Sequence, residues 1–325
     1  MAAVLVTDHV FADLEITRGL LEPLGVELVI APATDEETLV RLVHGTQGII
    51  VCYAKITRAV LNAASECRVV ARTGIGVDNL DVAAATEAGI LIANVPDYCV
   101  DEVADHTLAL LLASMRGIVG AVDSVRRGEW AVPQVPLPRL RGRRITVIGL
   151  GSIGRRVAER ARAFGLEVVS YDPFFEGVLP EGVQRAATLD EALAGADVVS
   201  LHAPLTPETH HLIDDRAIGL MRHPSVLVNT SRGGLVDLDA VAVALDDGRL
   251  FAVALDVTEP DPLRADHPLR VHPRVLLTPH MGFYSVEAQQ ELQRSAAEEV
   301  VRALKGEPPR CPVNPEVFAL VPAEA

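Results

Sequence analysis

The sequence has few aromatic residues and few cysteines. Phe, Trp and Tyr make up 4% of its 325 residues, and only four cysteines occur. Cys52, Cys67, Cys99 and Cys311 show neither paired spacing nor a CxxC motif, which argues against a disulfide framework or a cysteine metal site. They are typical of small buried side chains in a reducing compartment. We therefore expect a cytoplasmic protein.

Long apolar runs and an excess of positive charge are also lacking. No uninterrupted apolar stretch approaches the ~20 residues that cross a bilayer, and the opening MAAVLVTDHV has no cationic region ahead of it, so it predicts a first strand. Lys and Arg number 29 against 44 Asp and Glu, which gives a net charge of -15. A chain this acidic has no overall attraction to nucleic acid or to an anionic membrane, and neither partner is expected.

Short apolar runs without in–out alternation dominate the chain, of which 49% is hydrophobic. Strands buried on both faces of a parallel sheet have this pattern. Such runs lie at residues 4–7, 27–31, 48–53, 69–73, 90–95, 145–149, 166–172, 197–202, 226–230, 252–257 and 276–278. Helical spacing separates them at 13–24, 35–43, 58–64, 81–88 and 101–116, and a last helix is predicted from the N-cap Ser285 to Lys305. The predicted fold class is α/β, with two doubly wound parallel-sheet domains.

One glycine-rich turn carries the most specific signal. Gly149, Gly151 and Gly154 form a G-x-G-x-x-G pattern directly after a predicted strand and at the start of a helix. The first glycine permits the tight turn, the second lets the backbone approach a pyrophosphate, and the third lets helix and strand pack closely. The helix N-terminus then faces the phosphate charge. A dinucleotide site is predicted here.

An acidic residue ends the strand that follows this turn. Asp172 is placed to accept hydrogen bonds from the ribose hydroxyls of the adenosine half. A 2′-phosphate there would meet a like charge, at a cost of a few kcal/mol. Residues 173–177 read Pro-Phe-Phe-Glu-Gly and hold no Arg or Lys to offset it. The sequence therefore predicts NAD in preference to NADP.

Polar residues also end the later strands, at the sheet edge where open α/β folds bind their ligands. They are Arg232 in NTSRGGLVD, the acids of ALDVTEPDP, and His280 in LLTPHMG. Alone, such an arginine is more often an ion-pair residue, and an aspartate beside proline often starts a turn. Together with ARTGIGVDNLD, NVPDYCVDEVADHTLALLLA, GLGSIG and HAPLTPET, they make the whole chain similar to the D-isomer-specific 2-hydroxyacid dehydrogenase family.

The resemblance implies an NAD-dependent oxidoreductase that acts on the CH–OH group of a small 2-hydroxy acid, or on the matching 2-keto acid. Arg232 would hold the carboxylate and polarise the ketone, and His280 would donate the proton to the alkoxide. A family carboxylate that hydrogen-bonds this histidine corresponds to Asp261, where Glu is usual. Because Asp is one methylene shorter, we expect a backbone shift or a bridging water, with Glu259 as a less favoured substitute.

Further site residues come from the resemblance alone. Asp256 would bind the nicotinamide carboxamide, and the other predicted cofactor contacts are Gly149, Gly151, Ser152, Ile153, Gly154, Asp172, Pro204, Thr230, Ser231 and Gly282. The predicted substrate contacts are Arg232, Tyr53, Gly74, Ile75 and Gly76, whose backbone N–H groups would face the carboxylate. No metal site is predicted. His106 is a candidate neighbour of the site, and we expect solvated side chains at His210, His211, His267 and His272.

The substrate is less well defined. Family members that act on 3-phosphoglycerate carry arginines after the third strand, where this chain has Val51, Tyr53 and one nearby cation, Lys55. No regulatory domain is expected after the last helix. Both features disfavour phosphoglycerate dehydrogenase and favour a small substrate with a neutral side chain.

A second resemblance gives the alternative function. HMGFYSVEA and NVPDYC are similar to the C-terminal-binding-protein-like subfamily, although Phe283 stands where those proteins have tryptophan. An NAD(H)-gated binding protein with little turnover is therefore the alternative.

The predicted domains follow the chain order. Residues 1–99 and 285–325 would form a flavodoxin-like substrate-binding domain, residues 100–284 the NAD-binding Rossmann domain, and a cleft would lie between them. The apolar helix at 107–115 and the proline-rich connector at 130–142, around Trp130, predict a homodimer as in relatives.

Overall fold

The computed structural model describes residues 2–132 and 136–320. Within these residues it contains twelve strands and twelve α-helices. The strands are β1 (Ala2–Val6), β2 (Val26–Ile30), β3 (Thr46–Val51), β4 (Val69–Arg72), β5 (Leu91–Ala93), β6 (Arg144–Ile148), β7 (Glu167–Tyr171), β8 (Val183–Arg185), β9 (Val198–Leu201), β10 (Ser225–Asn229), β11 (Leu250–Leu255) and β12 (Val275–Leu277). The helices are α1 (Glu15–Leu21), α2 (Glu36–Leu42), α3 (Arg58–Ala63), α4 (Val82–Glu87), α5 (Val100–Arg116), α6 (Ile118–Arg126), α7 (Ser152–Ala163), α8 (Leu189–Leu193), α9 (Asp215–Leu220), α10 (Leu238–Asp246), α11 (Val286–Leu304) and α12 (Val317–Leu320). Every predicted apolar run overlaps one of these strands.

The chain divides into two compact units, the first formed by Met1–Cys99 with Ser285–Ala325 and the second by Val100–Tyr284. The first unit holds a five-stranded sheet in the order β2-β1-β3-β4-β5, paired in parallel throughout. Helix α11 returns the chain to this unit and contacts α1, β3 and β4. Its N-cap is Ser285, whose Oγ accepts from the N–H of Ala288 at 2.9 Å, as the sequence predicts.

The second unit holds a seven-stranded parallel sheet in the order β12-β11-β10-β9-β6-β7-β8. The prediction of two parallel-sheet α/β domains is therefore confirmed. After β6, the chain adds β7 and β8 on one side of this strand and then crosses to β9 on its other side. In open sheets of this kind ligands bind beyond the carboxyl ends of the strands where the order reverses. The glycine-rich turn follows β6 and lies at this point.

The apolar part of α5 lies in the core of the second unit, where the helix contacts α7, β10 and β11. The residues of 107–115 that it buries are Thr107, Leu108, Leu110, Leu111, Ser114 and Met115. This stretch therefore lies mainly in the core of its own unit, and the predicted homodimer stays a prediction. Its apolar residues cover a wide part of the helix surface because α7, β10 and β11 of its own unit pack against it.

Helix α6, which the sequence analysis did not identify, leaves its apolar side uncovered within the second unit. Ile118, Val119, Val122 and Val125 are 41–51% exposed. Beyond it, Trp130 is 91% exposed and residues 136–140 are irregular, while Pro133 of the predicted connector lies outside the described residues. Among the described residues, no helix by itself has the length and apolar content to span a membrane. Only α5 and α6 taken together meet that criterion, across a 62° bend.

Candidate active site

The turn after β6 has a geometry that only glycine allows at two positions. Gly149 has φ +90°, and a Cβ on it would lie 2.5 Å from the carbonyl oxygen of His202, at the end of β9. A Cβ on Gly154 would lie 2.0 Å from the carbonyl oxygen of Gly149. The first glycine thus lets two strand ends approach, and the third lets α7 begin directly against the turn.

The middle glycine leaves open space at the start of α7. Among the residues that the structure describes, a Cβ on Gly151 would meet no atom within 4 Å, and no side chain caps the N-terminus of the helix that begins at Ser152. The N–H groups of a first helical turn have no partners within their own helix. These N–H groups, which include those of Ser152 and Ile153, are suited to donate hydrogen bonds to a pyrophosphate.

Asp172 closes the other side of this turn. Its Oδ2 accepts from the N–H of Leu150 at 2.8 Å, and its Oδ1 accepts from the N–H of Phe174 at 2.9 Å. Each carboxylate oxygen can accept a further hydrogen bond, which suits a pair of ribose hydroxyls. One cation lies beside this loop, since Arg185 donates to the carbonyl of Phe175 at 2.7 Å. This arginine lies outside residues 173–177, so that stretch of sequence gives no sign of it.

Replacing Asp172 with asparagine should change the choice of cofactor. The wild type is expected to bind NADH about a hundredfold or more tighter than NADPH, because a like charge at about 4 Å costs roughly 4 kcal/mol at an intermediate dielectric. Asp172→Asn keeps an acceptor for Leu150 and removes the charge, so this ratio should fall by at least tenfold. Fluorescence titration with both cofactors measures it. Glu176→Gln, an exposed acid in the same loop, is the matched control. An unchanged ratio in Asp172→Asn would contradict the assignment.

The other predicted residues follow adjacent strands of the same sheet. Arg232 comes after β10, Asp256 and Asp261 after β11, and His280 after β12, and these three strands are neighbours. Parallel strands place their carboxyl ends along one edge, about 4.8 Å apart per strand. The loops that carry the arginine and the histidine therefore start about 10 Å from each other on the same edge of the sheet.

Asn229 organises the loop that carries Arg232. It is buried at the end of β10, donates from Nδ2 to the carbonyl of Arg232 at 2.8 Å, and accepts from the N–H of Ser231 at Oδ1. Gly233 packs this loop on the next one, because a Cβ there would lie 2.0 Å from the carbonyl carbon of Thr258. The sequence analysis did not select Asn229. An amide at the end of a fully buried strand was the signal that was available.

His280 and Asp261 form a direct pair. His280 Nδ1 lies 2.8 Å from Asp261 Oδ2, and the two side chains are 30% and 39% exposed. Neither of the alternatives predicted for the shorter aspartate, a bridging water or the substitute Glu259, is needed for this contact. His280 has φ +53°, and its N–H donates to the carbonyls of Asp256 and Thr278. The ring of Phe283 lies edge-on to the imidazole, with centroids 6.3 Å apart.

Asp256 braces the loop that carries the histidine. It is 2% exposed, and its carboxylate accepts from the hydroxyl of Thr278 and from the N–H groups of Met281 and Gly282. His106 Nε2 lies 3.3 Å from the same carboxylate, so this histidine is a neighbour of the site. Burial by itself raises the pKa of Asp256, but these hydrogen bonds outweigh it and lower the pKa to about 2. Its predicted contact with the nicotinamide carboxamide stays a prediction.

Asp256→Asn should therefore destabilise the second unit. We expect a loss of about 2–4 kcal/mol in the free energy of unfolding at neutral pH, since a charged acceptor is lost and an NH₂ group faces donors. The folded-state pKa is depressed, so this contribution is complete above the unfolded-state pKa near 3.8 and declines as the pH falls towards about 2. Urea unfolding of both proteins at several pH values tests this. A difference that does not shrink in acid would contradict it.

The remaining predicted cofactor residues lie in the same unit. The hydroxyl of Thr230 lies 2.8 Å from that of Thr107, and Thr209 donates to the carbonyl of Pro204 at 2.7 Å. Gly282 leaves little room for a side chain, because a Cβ would lie 3.0 Å from Asp256 and 3.2 Å from His106. Of the histidines expected to be solvated, His267 is buried, and its Nδ1 accepts from the N–H of Leu269, so that expectation is wrong.

The predicted substrate residues of the first unit lie at the carboxyl edge of its own sheet. Asp8 accepts from the N–H groups of residues 52–54 and so holds the loop of Tyr53, whose side chain is 48% exposed. The N–H of Gly74 donates to the carbonyl of Arg72, so it is already used. The Arg72 guanidinium occupies the space beside Gly74, where a Cβ would lie 1.2 Å from Nη1. The sequence analysis overlooked this cation.

Comparison with known proteins places these residues in a family. The family model of the D-isomer specific 2-hydroxyacid dehydrogenase NAD binding domain matches residues 108–282, more than half of the chain. The chain belongs to this family. The matched NAD-binding domain contains the glycine-rich turn and Asp172, and the loops after β9 to β12 lie in or beside it. NAD, the predicted cofactor, is confirmed.

Curated relatives and solved structures of this family resemble the chain over most of its length. A D-3-phosphoglycerate dehydrogenase of Methanocaldococcus jannaschii is 39% identical over 94% of the chain, which spans only 58% of that relative. A glyoxylate reductase of Thermofilum pendens is 37% identical over 83% of the chain and 81% of its own length. The structure of a D-lactate dehydrogenase from Aquifex aeolicus, complexed with NAD and lactic acid, superposes with a TM-score of 0.86. It is 28% identical and covers 94% of this chain and 96% of that one.

Proposed function

We propose that the chain is a dehydrogenase that interconverts small D-2-hydroxy acids and 2-keto acids with NAD. The observation that carries the proposal is the direct pair of His280 and Asp261 on the sheet edge that also carries Arg232 and the dinucleotide turn. The relatives support it, because lactate, glyoxylate and 3-phosphoglycerate share a carboxylate next to the reacting carbon.

Arg232 acts as the recognition group. Its planar guanidinium matches a carboxylate with two parallel hydrogen bonds, and the positive charge polarises the adjacent ketone. Nη1 donates to the carbonyl of Ser231 at 2.8 Å, which aligns the guanidinium along its own loop.

His280 acts as the acid in the reduction direction and as the base in oxidation. Asp261 accepts a hydrogen bond from Nδ1–H, which leaves Nε2 as the proton donor to the alkoxide and stabilises the imidazolium. Bound nicotinamide supplies or accepts the hydride. In reduction, one hydride and one proton add to the keto acid, and the imidazole recovers its proton from solvent.

Residues of the first unit support a substrate class. Val51 is buried in β3 and Tyr53 is half-exposed, so neither position supplies a cation for a phosphate, and Lys55 stands alone in this stretch. We infer a small keto acid with an uncharged side chain. Initial rates with NADH and glyoxylate, pyruvate, hydroxypyruvate or its 3-phosphate test this. A preference for the phosphorylated acid would contradict the substrate class. NADH binding without turnover on any acid would favour the alternative, an NAD(H)-gated binding protein.

We propose that the active form is a homodimer that covers the exposed apolar side of α6. Ile118, Val122 and Val125 recur at helical spacing on one side of it, and the exposed Trp130 follows shortly after the helix in the chain. Exposed apolar patches of this kind favour association with a second protein surface.

Val122→Glu is therefore expected to shift a micromolar sample from dimer towards monomer in sedimentation velocity. Val243→Glu is the matched control, because Val243 is 57% exposed on α10 of the same unit. A monomeric wild type, or equal dimerisation of both variants, would contradict the interface.

A further inference from the structure

Two consecutive histidines lie face to face on the surface of the second unit. The ring centroids of His210 and His211 are 4.0 Å apart and their planes differ by 21°. Consecutive side chains point in different directions in a strand or a helix. Here His211 has φ +53°, and its N–H donates to the carbonyl of Gly234 at 2.7 Å. This turn of the backbone brings both imidazoles to the same side.

A carboxylate from a distant part of the chain completes the group. Glu259 lies 49 positions after His210, and its Oε2 is 3.1 Å from Nε2 of His210 and 3.8 Å from Nε2 of His211. Gly234 leaves room for this approach, because a Cβ there would lie 3.1 Å from Glu259 Oε2, a tight contact. All three side chains are a little under half exposed.

We propose that His210, His211 and Glu259 form a binding site for a divalent metal ion of the zinc type. The three candidate ligand atoms lie within 4.8 Å of one another. With zinc–ligand bonds of about 2.1 Å, the edges of a tetrahedral site are about 3.4 Å long, so the distances to the carboxylate oxygen need to change by only a few tenths of an ångström. The exposed side of the group admits water as the fourth ligand.

The donor set selects the class of metal. Two imidazole nitrogens and one carboxylate oxygen suit Zn²⁺ and its neighbours in the first transition row. Mg²⁺ and Ca²⁺ prefer sites made of oxygen atoms. The site is independent of the proposed reaction, although Glu259 and Asp261 belong to one loop. A bound ion would tie that loop to the loop of His210. The sequence predicts no metal site because its ligands come from separate loops.

The competing interpretation is a surface hydrogen bond between His210 and Glu259. Such exposed pairs contribute at most about 1 kcal/mol and bind no ion. Isothermal titration of the full chain with Zn²⁺ separates the two interpretations. We expect one Zn²⁺ per chain, and at least tenfold weaker binding in His210→Ala and in Glu259→Gln. His44→Ala, an exposed histidine of the first unit, is the matched control and should bind as the wild type does.

A second measurement reports the ligand geometry. Co²⁺ bound to the wild type should give the intense visible absorption of a tetrahedral site, and Glu259→Gln should reduce it. Circular dichroism of each variant checks that the fold is retained. Absence of Zn²⁺ binding by the wild type, or equal binding by all variants, would overturn the proposal.

Discussion

His280→Asn is expected to lower kcat for keto-acid reduction by about 10²–10⁴-fold, the range that a positioned acid contributes. Asparagine is chosen because His280 has φ +53°, a conformation that asparagine tolerates better than most residues. The side chain is 30% exposed, so its loss leaves no buried cavity. The affinity for NADH should stay close to that of the wild type, because the variant leaves the turn at Gly149 and the carboxylate of Asp172 untouched.

Variants of Asp261 provide the controls for this prediction. Asp261→Asn should give an intermediate loss of kcat, because the amide no longer stabilises the imidazolium. Asp261→Glu should stay within a few-fold of the wild type, since a carboxylate is kept at the position where the family usually has glutamate. Steady-state rates with a saturating keto acid measure all three variants. Full turnover by His280→Asn would remove the histidine from the mechanism.

Arg232→Ala is expected to lower kcat/KM for the keto acid by roughly 10²–10³-fold or more, because two charge-assisted hydrogen bonds of about 1.5–3 kcal/mol each are lost. Arg232→Lys should recover part of this loss. It keeps the charge but not the planar pair of donors. Asn229 holds the loop through the backbone carbonyl of Arg232, so the loop should keep its conformation in both variants.

Thermal unfolding and NADH titration are the controls for the arginine variants, and both should give values close to those of the wild type. The loss should appear in KM as well as in kcat, since the guanidinium contacts the substrate in both the ground state and the transition state. A variant that binds and reduces the keto acid as the wild type does would contradict the assignment of Arg232.

The sheets were predictable because their strands are buried on both faces. Strands such as β9 and β10 consist entirely of buried residues. Their sequences are therefore short, nearly continuous apolar runs, without the alternation of polar and apolar residues seen in a strand with one exposed face. β8, of three residues with one buried, offers no such run and was not predicted. Helix α6 was also missed, although Ile118, Val122 and Val125 recur at helical spacing on a side that is exposed within its own unit.

The candidate site was predictable where a residue type is required by chemistry or by backbone geometry. Gly149 and Gly154 are required by backbone geometry, since any side chain would collide with backbone atoms. The residues that support the site are different. Asn229 acts through contacts formed only after folding, and its place at the end of a buried strand is the one signal that its local sequence offers. His106 was predicted as a neighbour of the site, but its contacts with Asp256 and Thr278 also form only after folding. The direct contact of Asp261 with His280 also depends on the path of the Asp261 loop. That path cannot be deduced from the length of the aspartate side chain.

Transfer of deuterium from the nicotinamide to the substrate tests the central claim most directly. NADH deuterated at C4, with the label on either face in turn, is incubated with the full chain and the best keto acid of the panel. Mass spectrometry and chiral chromatography then examine the product. The account predicts that one of the two labelled cofactors gives the D-2-hydroxy acid with deuterium at C2, and that His280→Asn gives almost none. Bound NADH with no labelled hydroxy acid from either face would contradict it.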